Sequence, residues 1–192
     1  MNIVLIGYRG TGKTTIGKRL ADELGLPYVG LDEEIVRREG LSIPEIVARR
    51  SWAYFRDREE ALVAEYAVRD GQVIDTGGGV VTRPANVERL RRGGIVFLLW
   101  AEVPDIVSRI GAGAERPSLT GTKSFTEEVA DVLREREPLY RSAADHVVDT
   151  SRLSVGEAVR EIARLFRRSP GGPRPAGGPP DLDQGPGRAA RA

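Results

Sequence analysis

The chain predicts an α/β fold: a three-layer sandwich with helices on both sides of a central, mostly parallel, five-stranded sheet. Three observations carry that expectation. Short continuous apolar runs alternate with amphipathic stretches over the first 168 residues, as buried parallel strands and their crossover helices do. The first apolar run ends in a glycine-rich turn that opens straight into an amphipathic helix, the order of a βαβ unit. Apolar residues make up 40% of the 192, enough to build one sizeable core.

The elements follow in chain order. Ile3–Ile6 is an unbroken apolar run and reads as a buried strand. Lys13–Leu24 reads as a helix because Ile16, Leu20 and Leu24 recur every fourth residue. Pro27–Val29 supplies a short strand, and helical spacing covers 43–50 and 52–68. Gln72–Asp75 is a strand stopped by Gly77-Gly78-Gly79. A helix over 84–92 leads into the apolar strand Gly94–Trp100 (GIVFLLW), then a helix over 103–110. Residues 111–123 are rich in glycine and small polar side chains and read as a loop long enough to be a mobile lid. Helical spacing returns over 125–137, where Pro138 ends it. His146–Val148 is the last strand and 154–167 the last helix. Ser42 with Glu45, and Ser154 with Glu157, form the S-x-x-E pattern that marks a helix start. From Ser169 to Ala192 the chain holds six prolines and six glycines, with Leu182 its only large apolar residue. Such a segment cannot offset its ordering entropy. The expectation is one domain over 1–168 and a disordered tail over 169–192.

Composition removes several function classes. Twenty-nine basic residues face 28 acidic ones, so bulk positive charge does not recruit a nucleic acid. The chain has no cysteine, which excludes thiolate catalysis and cysteine metal sites, and its single histidine, His146, leaves no pair for a zinc site. No apolar run reaches the roughly 18 residues of a membrane span. The first seven residues run straight into a motif rather than forming a signal peptide. The expectation is a cytoplasmic protein with neither nucleic acid nor membrane as partner.

The strongest chemical signal is Gly7-Tyr8-Arg9-Gly10-Thr11-Gly12-Lys13-Thr14, which meets every fixed position of G-x-x-x-x-G-K-[ST]. Its glycines let successive backbone N–H groups turn toward a phosphate, and the helix that follows presents its positive end to the same charge. Lys13 then reaches the terminal phosphates and the Thr14 hydroxyl ligates Mg²⁺. Gly10, Thr11, Gly12, Lys13, Thr14 and Thr15 are the expected contacts to a nucleoside triphosphate.

The motif does not say what is done with the triphosphate, but phosphate-loop proteins with a domain of about 168 residues are often kinases of small molecules, and a kinase needs an acceptor side as well. Asp32 follows a strand end, where α/β sheets bind ligands. It suits either a hydroxyl-orienting acid or the N-cap of a helix. Arg56, in Phe55-Arg56-Asp57-Arg58-Glu59-Glu60, can grip a carboxylate bidentately or sit on a solvated helix face; 26 arginines against three lysines make arginine common here. Gly77, Gly78 and Gly79 permit close approach of a ligand or a tight turn. Asp75, just before them, can support Mg²⁺-bound water. Arg116 in the loop can swing onto a transferring phosphate, and Arg141 sits at the end of the helix before the last strand.

In combination, GYRGTGKTT (7–15), LDEEI (31–35), FRDREE (55–60), DTGGGVV (75–81), ERPSLTG (115–121), PLYR (138–141) and HVVDTS (146–151) resemble the shikimate kinases over nearly the whole domain. The resemblance implies a P-loop kinase fold, a moving lid, a monomer, and Mg²⁺- and ATP-dependent phosphorylation of the 3-hydroxyl of shikimate in aromatic amino-acid biosynthesis. It also implies residue roles: Asp32 on the shikimate hydroxyls and as base, Arg56 and Arg141 on the carboxylate, Glu59 beside them, Gly77–Gly79 along the ring, Lys13 and Arg116 on the phosphates, and Arg109 and Arg152 near the adenine. One position departs. The family usually carries Asp-x-Asp where this chain has Gly30-Leu31-Asp32, and the first aspartate supports Mg²⁺ through water. Asp75 is expected to substitute. Two other readings stand beside this one: a kinase of another small hydroxy acid such as gluconate, and a nucleotide-binding relative without catalysis.

Overall fold

A computed structural model describes residues 1–111 and 125–169. Most of the expected lid, including Arg116, and the expected tail from 170 lie outside the described residues.

Five strands, β1 (Asn2–Ile6), β2 (Tyr28–Gly30), β3 (Val73–Asp75), β4 (Gly94–Trp100) and β5 (His146–Asp149), pair in the order β2-β3-β1-β4-β5. Every pairing is parallel, so the sheet is wholly rather than mostly parallel. Side chains alternate between its two faces. Ile3 and Leu5 of β1, with Phe97 and Leu99 of β4, pack under α1 (Lys13–Leu24) and α8 (Val155–Arg168). Val4, Ile6, Val96 and Leu98 face the opposite layer, which contains α2 (Leu31–Glu39), α3 (Ile43–Arg49), α4 (Trp52–Tyr66), α5 (Pro84–Gly93), α6 (Val103–Gly111) and α7 (Phe125–Ala143). Covering on both sides is why these strands are continuous apolar runs.

Two elements depart from the sequence expectation. The sequence pattern assigns no element over 31–39, yet α2 forms there; only Leu31 and Ile35 are buried, too few apolar positions to show a helical period. Helix α7 does not stop at Glu137. It carries Pro138 inside and runs to Ala143. Its buried residues Val129, Leu133, Tyr140 and Ala143 recur at three- and four-residue spacing, and packing of that stripe outweighs the backbone hydrogen bond that proline forfeits. Both expected capping boxes are present, at Ser42 and Ser154.

The chain leaves the C-terminal end of β1 for α1, and β1 separates β3 from β4 in the sheet. That is a topological switch point, where an open parallel sheet leaves a crevice. Helix α8, which packs on α1, depends on the Ser154 cap. The Ser154→Ala variant is expected to lose about 1 kcal/mol of stability, read as a lower urea midpoint with the slope of the transition unchanged.

Candidate active site

The crevice begins with the loop between β1 and α1. Gly7, Gly10 and Gly12 have φ of 141°, 81° and 92°, values that disfavour any side chain. Space forbids one as well: a Cβ on Gly7 would stand 2.4 Å from the Leu99 carbonyl oxygen, and one on Gly10 2.9 Å from Ile110 Cγ1. The loop is thereby drawn tightly around Lys13, which is 8% exposed. Its Nζ donates to the Gly7 and Tyr8 carbonyls at 2.9 and 3.0 Å. Burial pushes the Lys13 ammonium pKa down, while the charges of Asp75 and Asp32 oppose the shift.

A cavity of about 620 Å³ lies over this loop. Gly10, Thr11, Gly12, Lys13, Thr14 and Thr15 all line it, with Asp32, Asp75, Arg109 and Thr150. Arg109 is tied in place, donating to the Thr150 hydroxyl at 3.1 Å and the Thr150 carbonyl at 2.6 Å. Arg152 is not brought in. It is 86% exposed and pairs with Asp149 at 3.3 Å, while Leu153, Ser154 and Val155 take the wall.

At the floor, Asp75 is 6% exposed. Its Oδ2 accepts from the Thr14 hydroxyl at 2.7 Å and from the Tyr28 hydroxyl at 2.9 Å. A threonine that donates its proton this way keeps its oxygen lone pairs free for a cation. Thr14 and Asp75 are hard oxygen donors beside a phosphate loop, a set that fits Mg²⁺, which binds through few protein oxygens and completes its shell with phosphates and water.

A second cavity of about 210 Å³ adjoins the first, and Arg9, Asp32 and Gly78 line both. Asp32 sits in the first turn of α2, whose N-cap is Gly30, so it is not the cap. Its Oδ1 is buried and, among the described residues, has no hydrogen-bond partner. Burial raises its pKa, against the pull of Lys13 and with a push from Asp75. From α4, Arg56 Nη1 donates to both oxygens of Glu59 at 2.8 and 2.7 Å. Glu59 is fully buried, and burial raises its pKa against the neighbouring Arg56 charge. Gly77, Gly78 and Gly79 complete the wall. Arg141, however, is outside. It is half exposed, bonded to Glu137 at 2.7 Å and set over the Trp100 ring. Besides Arg9 and Arg56 this cavity is lined by Arg136, which donates to the Gly78 carbonyl at 3.2 Å beside the Tyr140 hydroxyl on the same oxygen.

The chain is similar to known proteins in sequence and fold. The family model described as shikimate kinase matches residues 9–167. The chain is 43% identical over 177 residues to a shikimate kinase of Syntrophus aciditrophicus, covering 86% of this chain and 91% of that protein. It is 42% identical to one of Pseudomonas fluorescens, covering 85% and 97%. Among solved structures it resembles shikimate kinase from Acinetobacter baumannii in complex with shikimate, with a TM-score of 0.78 and 35% identity over 85% of this chain and 91% of that one.

The chain belongs to the shikimate kinase family. It is thus an ATP-dependent kinase, a transferase. Among the described residues no helix is long and apolar enough to cross a membrane. Of the residues expected at a shikimate kinase site, the structure gathers the loop residues 10–15, Asp32, Arg56, Glu59, Asp75, Gly77–Gly79 and Arg109. It leaves Arg141 and Arg152 outside. Arg136 was legible in the sequence: it falls three residues after Leu133 and four before Tyr140, on the buried stripe of α7, whereas Arg141 falls about 100° away.

The charge on Asp32 opposes folding, because its folded pKa is raised above the ordinary 3.8. That penalty is present above the folded pKa and vanishes as pH falls through it toward 3.8. The Asp32→Asn variant should therefore melt at a higher temperature than the parent at pH 8. The gap should close as the pH approaches 4, measured by thermal unfolding across a pH series.

Proposed function

We propose that the protein transfers the γ-phosphoryl group of ATP to the 3-hydroxyl of shikimate, giving shikimate 3-phosphate and ADP. One observation carries the reading above the others. The unpartnered carboxylate oxygen of Asp32 lies where the nucleotide cavity meets a second pocket walled by Arg56 and Arg136. A small polyhydroxylated carboxylate needs two such arginines for its anion and one acid for its hydroxyl.

In this reading Arg56 and Arg136 grip the carboxylate, and Glu59 holds Arg56 in position by its paired hydrogen bonds. Asp32 accepts a hydrogen bond from the reacting hydroxyl and takes its proton as the new oxygen–phosphorus bond forms. The bond between the γ-phosphorus and the bridging oxygen breaks, and its electrons leave with ADP. Lys13 exchanges its two loop carbonyls for phosphate oxygens, and Arg109 flanks the nucleotide. Arg116, outside the described residues, is assigned to the transferring phosphate. A bound Mg²⁺ would supply positive charge that offsets the phosphates. Thr14 would ligate it, and Asp75 would stand behind Thr14 and the metal's water in place of a carboxylate at position 30. Positioning and preset charge supply most of the rate. The reading carries with it a monomer acting in the cytoplasm.

The deciding measurement is ADP release from ATP and Mg²⁺ with shikimate, with gluconate, and with neither. Shikimate-dependent ADP and a phosphorylated shikimate product are expected; gluconate-dependent ADP, or no response to either acid despite ATP binding, would overturn the reading. Within it, Arg136→Ala is expected to raise the shikimate KM about 30-fold or more, the loss of a buried charged partner. Arg141→Ala should stay within about threefold, as for an exposed ion pair. Steady-state kinetics on the two variants separates the assignments.

A further inference from the structure

Strand β2 is the sheet edge beside β3, with Tyr28 opposite Val73 and Gly30 opposite Asp75. Tyr28 and Gly30 lie two residues apart and so share one face of the strand. The Tyr28 side chain runs along that face, over the position where residue 30 has no side chain, and its hydroxyl ends 2.9 Å from Asp75 Oδ2. Two glycines make this path. A Cβ on Gly30 would stand 3.1 Å from both the Tyr28 hydroxyl and Glu33 Oε2, and one on Gly17 of α1 would stand 3.0 Å from the Tyr28 ring. Lys18 caps the ring face at 5.3 Å and pairs with Glu33 at 2.8 Å.

The hydroxyl is a dedicated donor. A phenol keeps its proton at neutral pH, so the Tyr28 hydroxyl donates to Asp75 Oδ2. Thr14 and Tyr28 both donate to Oδ2, and among the described residues Oδ1 accepts no hydrogen bond. One carboxylate oxygen is thereby fixed at two points, and the other is left for a ligand above the loop.

We propose that Tyr28 is a positioning residue for the metal, holding the Asp75 carboxylate in the orientation that supports a divalent cation at Thr14, and that Gly30 is the space this arrangement requires. The proposal rests on the assignment of Asp75 to the metal made above. Groups that orient a metal-supporting ligand typically change metal affinity by about 10- to 100-fold when removed.

Mn²⁺ binding to the ADP complex of the full chain, followed by electron paramagnetic resonance, tests this without turnover. Tyr28→Phe is expected to weaken Mn²⁺ about tenfold or more, with metal-free ADP affinity and the shikimate KM unchanged. Gly30→Ala, which keeps the hydroxyl but crowds it, should weaken Mn²⁺ in the same direction. The double variant Tyr28→Phe with Gly30→Asp should recover most of the loss, because a carboxylate then enters the space the hydroxyl vacates. If Tyr28→Phe and Gly30→Ala both bind Mn²⁺ like the parent while Asp75→Asn does not, Tyr28 has no such role and the Asp75 assignment stands. If Asp75→Asn also binds Mn²⁺ like the parent, both assignments fall.

Discussion

At Gly77 and Gly79 the backbone has no Cβ, and charged side chains stand in the volume one would fill. A Cβ on Gly77 would come within 2.6 Å of Asp32 Oδ1 and Glu59 Oε1, and one on Gly79 within 2.0 Å of Arg56 Nη2. None of Gly77, Gly78 and Gly79 has a positive φ. Space, not conformational freedom, is what glycine supplies here. The carbonyl of Gly78 takes the remaining partners, Tyr140 and Arg136 of α7. Three residues at the end of β3 thus gather α2, α4 and α7 around one pocket. The acceptor side of the site exists because this stretch of backbone is bare.

The gathered charges are held at a loss of solvation, and that loss is part of what makes them useful. Asp32 and Glu59 have raised pKa values and Lys13 a lowered one, each shifted chiefly by burial. Glu59 spends its charge on Arg56 and Lys13 on the loop carbonyls, so both are satisfied before any ligand arrives. Among the described residues, Asp32 Oδ1 and Arg9 Nε have no hydrogen-bond partner. Both belong to residues that line the junction of the two cavities. A donor and an acceptor left unpaired and buried interact strongly with a polar group that reaches them. A third such atom among the described residues, Asn86 Oδ1 of α5, lines neither cavity.

Much of this was legible in the sequence. Continuous apolar runs gave the strands, and the S-x-x-E boxes marked where α3 and α8 begin. The phosphate loop was legible in full because its chemistry is local: eight consecutive residues specify a backbone shape. The acceptor pocket is not local. Arg136 and Arg141 are five residues apart on one helix, and only the phase of the buried stripe tells which enters the crevice. The proline at 138 pointed to an end at the residue before it, and so hid the last turn and a half of that stripe. Helix α2 escaped notice for a related reason, since three of its nine positions are acids in its first turn, and a helix that serves the site on one side shows little apolar period. The Tyr28–Asp75 bond joins residues 47 apart and leaves no trace in spacing at all.

Under the proposed assignment of Asp75, the parallel sheet lets a carboxylate move to a neighbouring strand without rebuilding the site. Gly30, Asp75 and Leu5 lie in one row across β2, β3 and β1, and all three strands end on the same side. Neighbouring strands in such a sheet are just under 5 Å apart. A group needed at one point above Thr14 can therefore be supplied from the end of either β2 or β3, provided the other position gives up its side chain. Gly30 gives it up, and the hydroxyl of Tyr28 occupies part of the space. The chemistry at the phosphate loop constrains where an oxygen must stand, whereas the sheet leaves open which strand carries it.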